Sequence, residues 1–337
     1  MVRTFLAAAL AVFALAAPAR AQETQETWAH AESGVSLPRA IGEMRLGEIR
    51  DLSRGGGFDV ILQYGSERTP VTVYVYRSAY PNAAIWFERT RLAMNEHVGS
   101  GAASANPRPF TLGGSAAPNG LREEIDLPGG ATAVAIAHRG QWILKMRMTS
   151  TELDRAALAD RMDQLIAAFR FAGETATPIP LAVPGLCDGD VRMNGDRIRN
   201  VRDEPLAAAT VTGIVAYGEA RGISGLATEP QQWCRATVPA LPAQYGSFYR
   251  RRDGNGWVAL MGDSGMAIAA LPIEIPGRAR AALYTSSPAA TRVVAAYEGI
   301  PAPGEAIMAA LPVLVGQAAG IAEIGTERPD APATPKN

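Results

Sequence analysis

From Phe58 to Met148 the residues alternate in character through one stretch after another, and a period of two suits only strands that show a different face to each side. Val71, Val73 and Val75 alternate with Thr72, Tyr74 and Tyr76. Phe58 to Tyr64 precedes them across Gly65-Ser66-Glu67-Arg68, which predicts a hairpin. Leu121 to Leu127, Ala131 to His138 and Gln141 to Met148 predict three further strands, turning at Pro128-Gly129-Gly130 and at Arg139-Gly140. In the last of them Trp142, Leu144, Met146 and Met148 form one face and Lys145 and Arg147 the other. The first face is expected in the core and the second in wetter surroundings.

Two segments change period. Between Pro81 and Val98, the residues Ala83, Phe87, Thr90, Met94 and Val98 fall on one helical face. Leu158, Met162, Leu165 and Phe169 do the same, and Thr151 with Asp154 has the spacing of a box that caps a first turn. The stretch from Gly99 to Gly120 is rich in Gly, Ala, Ser, Pro and Asn and reads as a loop. An antiparallel sheet packed with two helices, an α+β sandwich, is therefore expected over residues 22–172.

The order of these elements, ending in the hairpin Ala137-His138-Arg139-Gly140-Gln141-Trp142-Ile143-Leu144-Lys145-Met146-Arg147 and an amphipathic helix, resembles the PsbP/Mog1-like α/β sandwich of exported bacterial proteins. The resemblance covers about 28 to 172. It implies a binding or assembly role and carries over no catalytic residue.

Beyond it, Gly173, Pro178, Pro180 and Pro184 mark a linker at 173–185. A second, β-rich α+β domain is expected over 186–325. Its predicted strands are Ala209–Tyr217, Trp233–Val238, Ser247–Arg252, Trp257–Gly262, Met266–Ile275 and Ala281–Tyr284, with a hairpin turn at Asp253-Gly254-Asn255-Gly256. Ala289–Tyr297 and Gly304–Val315 read as short helices, the second ending near Pro312. Residues 326–337 read as a disordered tail.

The first residues carry Arg3, an apolar run from Phe5 to Ala17 and the small-residue pattern Ala19-Arg20-Ala21. This is a secretory signal peptide over 1–21, too short in its apolar part to span a bilayer, and the mature chain is expected to start at Gln22 in the periplasm or outside the cell. There the two cysteines, Cys187 and Cys234, are expected to form a disulfide. With 32 basic against 33 acidic residues the chain lacks the excess positive charge that nucleic acid requires.

Several motifs invite a chemical reading. Gly262-Asp263-Ser264-Gly265 looks like the nucleophile motif of trypsin-like serine peptidases, yet no histidine follows His138, and a tight turn accounts for it equally. Asp188, Asp190, Asn194 and Asp196 could offer oxygens to Ca²⁺ but miss the EF-hand pattern. His30, His97 and His138 have no zinc spacing. Glu123 and Glu124 are adjacent on a strand and point to opposite faces, so they form no acid/base dyad. Arg250, Arg251 and Arg252, beside Phe248, Tyr249 and Trp257, could meet an anionic ligand or could simply protect a strand edge. Only Lys145 and Lys336 are lysines, so any lysine chemistry would fall on Lys145.

Together these features lead us to expect an exported protein with a non-catalytic binding or accessory role in the cell envelope. It would act without cofactor or nucleic acid and without a membrane span in the mature chain, and its partner would be an envelope protein, a polysaccharide or a small ligand. The alternatives are a serine hydrolase using Ser264 and a Ca²⁺-dependent module.

Overall fold

A computed structural model describes residues 26–53, 55–98, 106–173, 181–189, 191–198, 226, 229–239, 241–242, 244–263, 265–275 and 278–325. The first half holds β1 (Thr27–His30), β2 (Val35–Pro38), β3 (Ala40–Ile41), β4 (Met44–Asp51), β5 (Asp59–Gly65), β6 (Pro70–Arg77), α1 (Ala83–Val98), β7 (Arg108–Phe110), β8 (Gly120–Leu127), β9 (Gly130–Arg139), β10 (Trp142–Ser150), α2 (Arg155–Ala168) and β11 (Arg170–Phe171). Eight of these strands pair antiparallel in the order β3-β4-β5-β6-β10-β9-β8-β7, and β1-β2-β11 form a small separate sheet.

The second half holds β12 (Asp196–Arg197), β13 (Trp233–Ala236), β14 (Gly246–Arg251), β15 (Trp257–Met261), β16 (Met266–Ile275), β17 (Arg278–Ser286), β18 (Ala290–Glu298), α3 (Pro303–Leu314) and β19 (Ala322–Gly325). From β13 to β18 the chain meanders, each strand antiparallel to the next, while β12 and β19 share the outer edge of β18.

The pleat of the first sheet sorts its side chains into two cores. Ala131, Ala133, Ala135 and Ala137 of β9 lie with Leu144, Met146 and Met148 of β10 against Leu158, Met162 and Leu165 of α2. The small alanines let the helix approach the sheet closely. The intervening residues Val134, Ile136 and Ile143 face the other way, onto α1. That second core continues without a break into Trp233, Tyr249, Val258, Leu260 and Ala269 of the second sheet. On the far face of the second sheet, Trp257, Ile268 and Leu283 pack under Ile307, Ala310 and Val313 of α3.

The layers therefore run α3, second sheet, α1, first sheet, α2. Strand accounts for 46% and helix for 18% of the described residues, which corrects the expected α+β sandwich to a β-rich fold of three sheets. Two sources account for the difference. Residues 27–51 add four strands for which no prediction was made, and Ala289–Tyr297, read as a helix, is strand β18. Its alanines favour a helix in isolation, but Thr291, Val293 and Val294 suit a strand that pairs on both sides, and packing overrides propensity.

Smaller corrections follow the same logic. The cap of α2 is Asp154, whose carboxylate accepts from the Ala157 amide at 2.8 Å, and Thr151 lies outside the helix. Within the expected loop 99–120, Arg108–Phe110 adds an edge strand. The predicted strand Ala209–Tyr217 and the tail 326–337 lie outside the described residues, as does most of the 173–185 segment.

Candidate functional site

Helix α1 is where the two halves meet. Asn82 starts it, its side-chain oxygen accepting from the Ala84 amide at 2.8 Å. Ala83 to Phe87, Arg89, Thr90 and Met94 are all buried, so the first turns of the helix are covered on every side and not on a single face. Its polar residues are accommodated by pairing across the interface. Arg89 donates through Nε to the carbonyl of Gly262 at 2.9 Å and through Nη2 to that of Gln244 at 2.8 Å. Thr90 donates to Asp263 Oδ1 at 2.9 Å. Glu88 accepts from the Tyr249 hydroxyl at 2.6 Å and pairs with Arg235 at 3.0 Å.

Lys145 completes the cluster from the first sheet. Its side chain is only 3% exposed, its ammonium pairs with Asp263 Oδ2, and it sits 5.0 Å from the centre of the Tyr74 ring. Burial, reinforced by the charges of Arg147 and Arg89, pulls the ammonium down to about 7, and the Asp263 carboxylate opposes this. Burial raises Glu88 and holds the Tyr249 phenol well above its ordinary value. A perturbed lysine beside a carboxylate is the usual signature of a functional site, and it is equally the signature of a structural ion-pair network.

The Gly262–Gly265 turn between β15 and β16 is thus the part of the second half that plugs into the first. Gly262 and Asp263 hold α1 and Lys145, and the carbonyl of Gly265 accepts from the Ala79 amide at 3.5 Å. Ser264 itself lies outside the described residues.

The other candidates fall elsewhere. Arg250 is buried and donates to the Gly189 carbonyl at 2.6 Å; Arg251 pairs with Asp253 at 3.1 Å; Arg252 donates to the Gln231 carbonyl at 3.1 Å. The guanidiniums of Arg250 and Arg252 brace the segments around the disulfide and that of Arg251 the turn after β14, and an anionic ligand would have to compete with those contacts. Cys187 and Cys234 are bonded, with Cα atoms 4.8 Å apart. The bond holds 185–187 along the edge of β13, where Arg235 exchanges backbone hydrogen bonds with Gly185 and Cys187.

Asp188 is almost fully exposed and 3.7 Å from Arg252, Asp196 lies on β12, and Asp190 is outside the described residues. Among the described residues no three His, Cys, Asp or Glu side chains converge to hold a metal. His138 is buried and its Nδ1 accepts from the Ala83 amide at 3.4 Å, while burial pulls it down to about 4. Glu123 and Glu124 do point to opposite faces, toward Arg91 on one and toward Arg108 and Arg122 on the other.

Sequence reading did not bring Glu88, Arg89, Thr90, Lys145 and Asp263 together. The signal that could have done so was the lone strand lysine on a face whose neighbours, Ile136, Ile143 and Tyr74, are too apolar to stay in water.

Among the described residues, open grooves lie away from this cluster, two of which are formed at helix ends. One, of about 520 Å³, runs between the end of α2 and β11, where Phe169 and Phe171 stack at 6.1 Å. The other, of about 410 Å³, lies between β12 and the N-terminus of α3.

No protein-family model matches the chain, and no curated protein matches it. Among solved structures, the solution structure of cyanobacterial PsbP (CyanoP) from Synechocystis sp. PCC 6803 is similar, at 8% identity and a TM-score of 0.30. The match covers 43% of this chain and 91% of that one. A likeness this loose adds nothing to the argument from residues.

Proposed function

We propose that the chain is an exported, non-catalytic binding or accessory protein of the cell envelope. The observation that supports this reading is where the reactive groups sit. Lys145, Glu88 and Tyr249, titratable groups that lie between the two sheets, are already engaged there, Lys145 with Asp263 and Glu88 with Tyr249. A general base must reach a substrate proton, and a lysine only 3% exposed and tied to a carboxylate does not. The disulfide, with no described helix long and apolar enough to cross a membrane, is compatible with export.

One observation favours the hydrolase alternative: Asp263, the neighbour of Ser264 in sequence, contacts a lysine whose ammonium is pulled down to about 7. A fluorophosphonate probe on the purified protein separates the two readings. We expect no labelling; specific labelling at Ser264, lost in Ser264→Ala, would replace the binding reading with catalysis. Export is tested by N-terminal sequencing of the envelope fraction, with Gln22 expected as the first residue.

A further inference from the structure

The first sheet has β4 near one end, and most of that strand has nothing on its outer side. Strand β3 pairs only with its start, Ala40 opposite Arg45 and Ile41 opposite Met44, and the Arg39 carbonyl accepts from the Leu46 amide at 2.8 Å. Past Gly47, where the register with β5 shifts, Glu48 to Asp51 run regularly along β5. Among the described residues no strand flanks them on the other side. The remaining edges of the two large sheets are short or covered. Strand β7 has three residues, β13 is bonded through Arg235 to Gly185 and Cys187, and β18 is covered by β12 and β19.

A second observation falls on the same strand. Among the described residues of the first half, the large apolar side chains left exposed are Ile49 and Leu52, at 38% and 54%. Ile49 lies in the middle of the free edge and Leu52 directly after it. Edges that stay single usually carry charge there and no exposed apolar residue.

The backbone fixes which residues can pair. The Leu52 amide points inward, bonded to the Asp59 carbonyl at 2.8 Å. By the alternation of an antiparallel ladder, Arg50 and Glu48 also bond to β5, while Ile49 and Asp51 turn their amides and carbonyls outward. A further strand adds only where outward groups meet outward groups. For two copies of β4 related by a two-fold axis, the axis then lies at Ile49, Arg50 or Asp51.

Charge selects among the three. An axis at Arg50 sets two guanidiniums against each other, and an axis at Asp51 sets Arg50 opposite Leu52. An axis at Ile49 sets Ile49 on Ile49 and Glu48 opposite Arg50 twice. Within one chain Glu48 and Arg50 are 3.4 Å apart and both more than half exposed, so across this axis four charges alternate in sign. We propose that β4 pairs antiparallel with β4 of a second copy of this chain about an axis at Ile49, joining the two first sheets into one. A partner strand of a single charge sign would meet one like charge for every opposite one, whereas a copy meets only opposites. The inference goes beyond the binding reading and does not depend on it.

The test is sedimentation of the full mature chain. One strand pair buries less surface than a standard interface, so dimers should form at about 10–100 μM at low salt and loosen as salt rises. Glu48→Arg and Arg50→Glu should each weaken dimerisation about tenfold, since each sets like charges opposite each other twice. Mixed in equal amounts, the two variants should form a mixed dimer as tight as the parent, and the double variant should dimerise like the parent. Ile49→Pro, which removes the outward amide at the axis, should abolish dimers. Melting temperatures of the charge variants at high dilution should match that of the parent, because both side chains are exposed. A parent that stays monomeric at about 100 μM, a dimer indifferent to both single variants, or a mixture no tighter than either variant alone would each overturn the proposal.

Discussion

The two faces of the first sheet are made by the same strands, one residue apart, and they are buried in opposite ways. The face toward α2 is apolar throughout its centre, with alanines from β9 under methionines and leucines. The face toward α1 carries Lys145, Glu123 and Tyr76 among its aliphatic residues, and it is covered by a helix and a second sheet that bring the matching charges. Hydrophobic burial needs no particular partner, whereas burial of an ion does, so the second face can be closed only by this particular second half. The polar face thus specifies how the halves dock.

The comparison breaks most sharply on the apolar face. Met146→Ala removes a fully buried side chain from beneath α2 and leaves a cavity, for an expected loss of about 3–4 kcal/mol in denaturant unfolding. Across the sheet, Arg89→Ala should cost about 3 kcal/mol, because it strands the carbonyls of Gly262 and Gln244 between the halves. The two losses should differ in kind. Met146→Ala is expected to lower the stability of the whole, while Arg89→Ala should also speed hydrogen exchange along β14–β16 before global unfolding. Equal exchange profiles would mean that the polar face has no special part in docking.

Acid sharpens the contrast, because two buried groups pull stability in opposite directions. Folded His138 refuses a proton until about 4, whereas the unfolded chain takes one below 6.5, so this group makes stability fall as pH drops through that window. Asp59 is raised to about 6 by burial and by Asp51, so between 3.8 and 6 the folded state holds the extra proton, and stability rises as pH falls. Each is worth on the order of 2–3 kcal/mol, with Asp59 discounted for its partial exposure. The parent should therefore show a shallow profile between pH 4 and 6. Asp59→Asn should uncover a steep acid loss, and His138→Gln a gain toward acid; unchanged slopes in both would refute the assignment.

What the residues disclosed beforehand follows the same division. The hairpins, α2 and the disulfide were legible because period, turn residues and cysteine count are local signals. Lys145 and Arg147 were assigned to a wet face, which is right for Arg147 and wrong for Lys145. Nothing within β10 distinguishes them, since the Asp263 that shelters Lys145 lies 118 residues away. The outer strands β1–β4 were missed because β4 is mostly exposed and bulged near Gly47, without the alternation that half-burial imposes. Strand β18 was misread because alanine-rich pairing is decided by neighbours and not by propensity.

The smallest expected effect is the most informative about the polar face. Lys145→Met keeps the length of the side chain and its contact with the Tyr74 ring and removes only the charge. Burial pulls its ammonium down to about 7, and its partner Asp263 is 37% exposed and can return to water. The change in stability should therefore stay within about 1.5 kcal/mol and could favour the variant. If the pair instead dictates how the turn at 262–265 docks, the variant should keep its melting temperature yet show altered fluorescence or exchange at Trp86 and around β15–β16. A loss as large as that of Met146→Ala would mean that the ion pair is itself a main source of stability, and the two faces would then differ in chemistry but not in consequence.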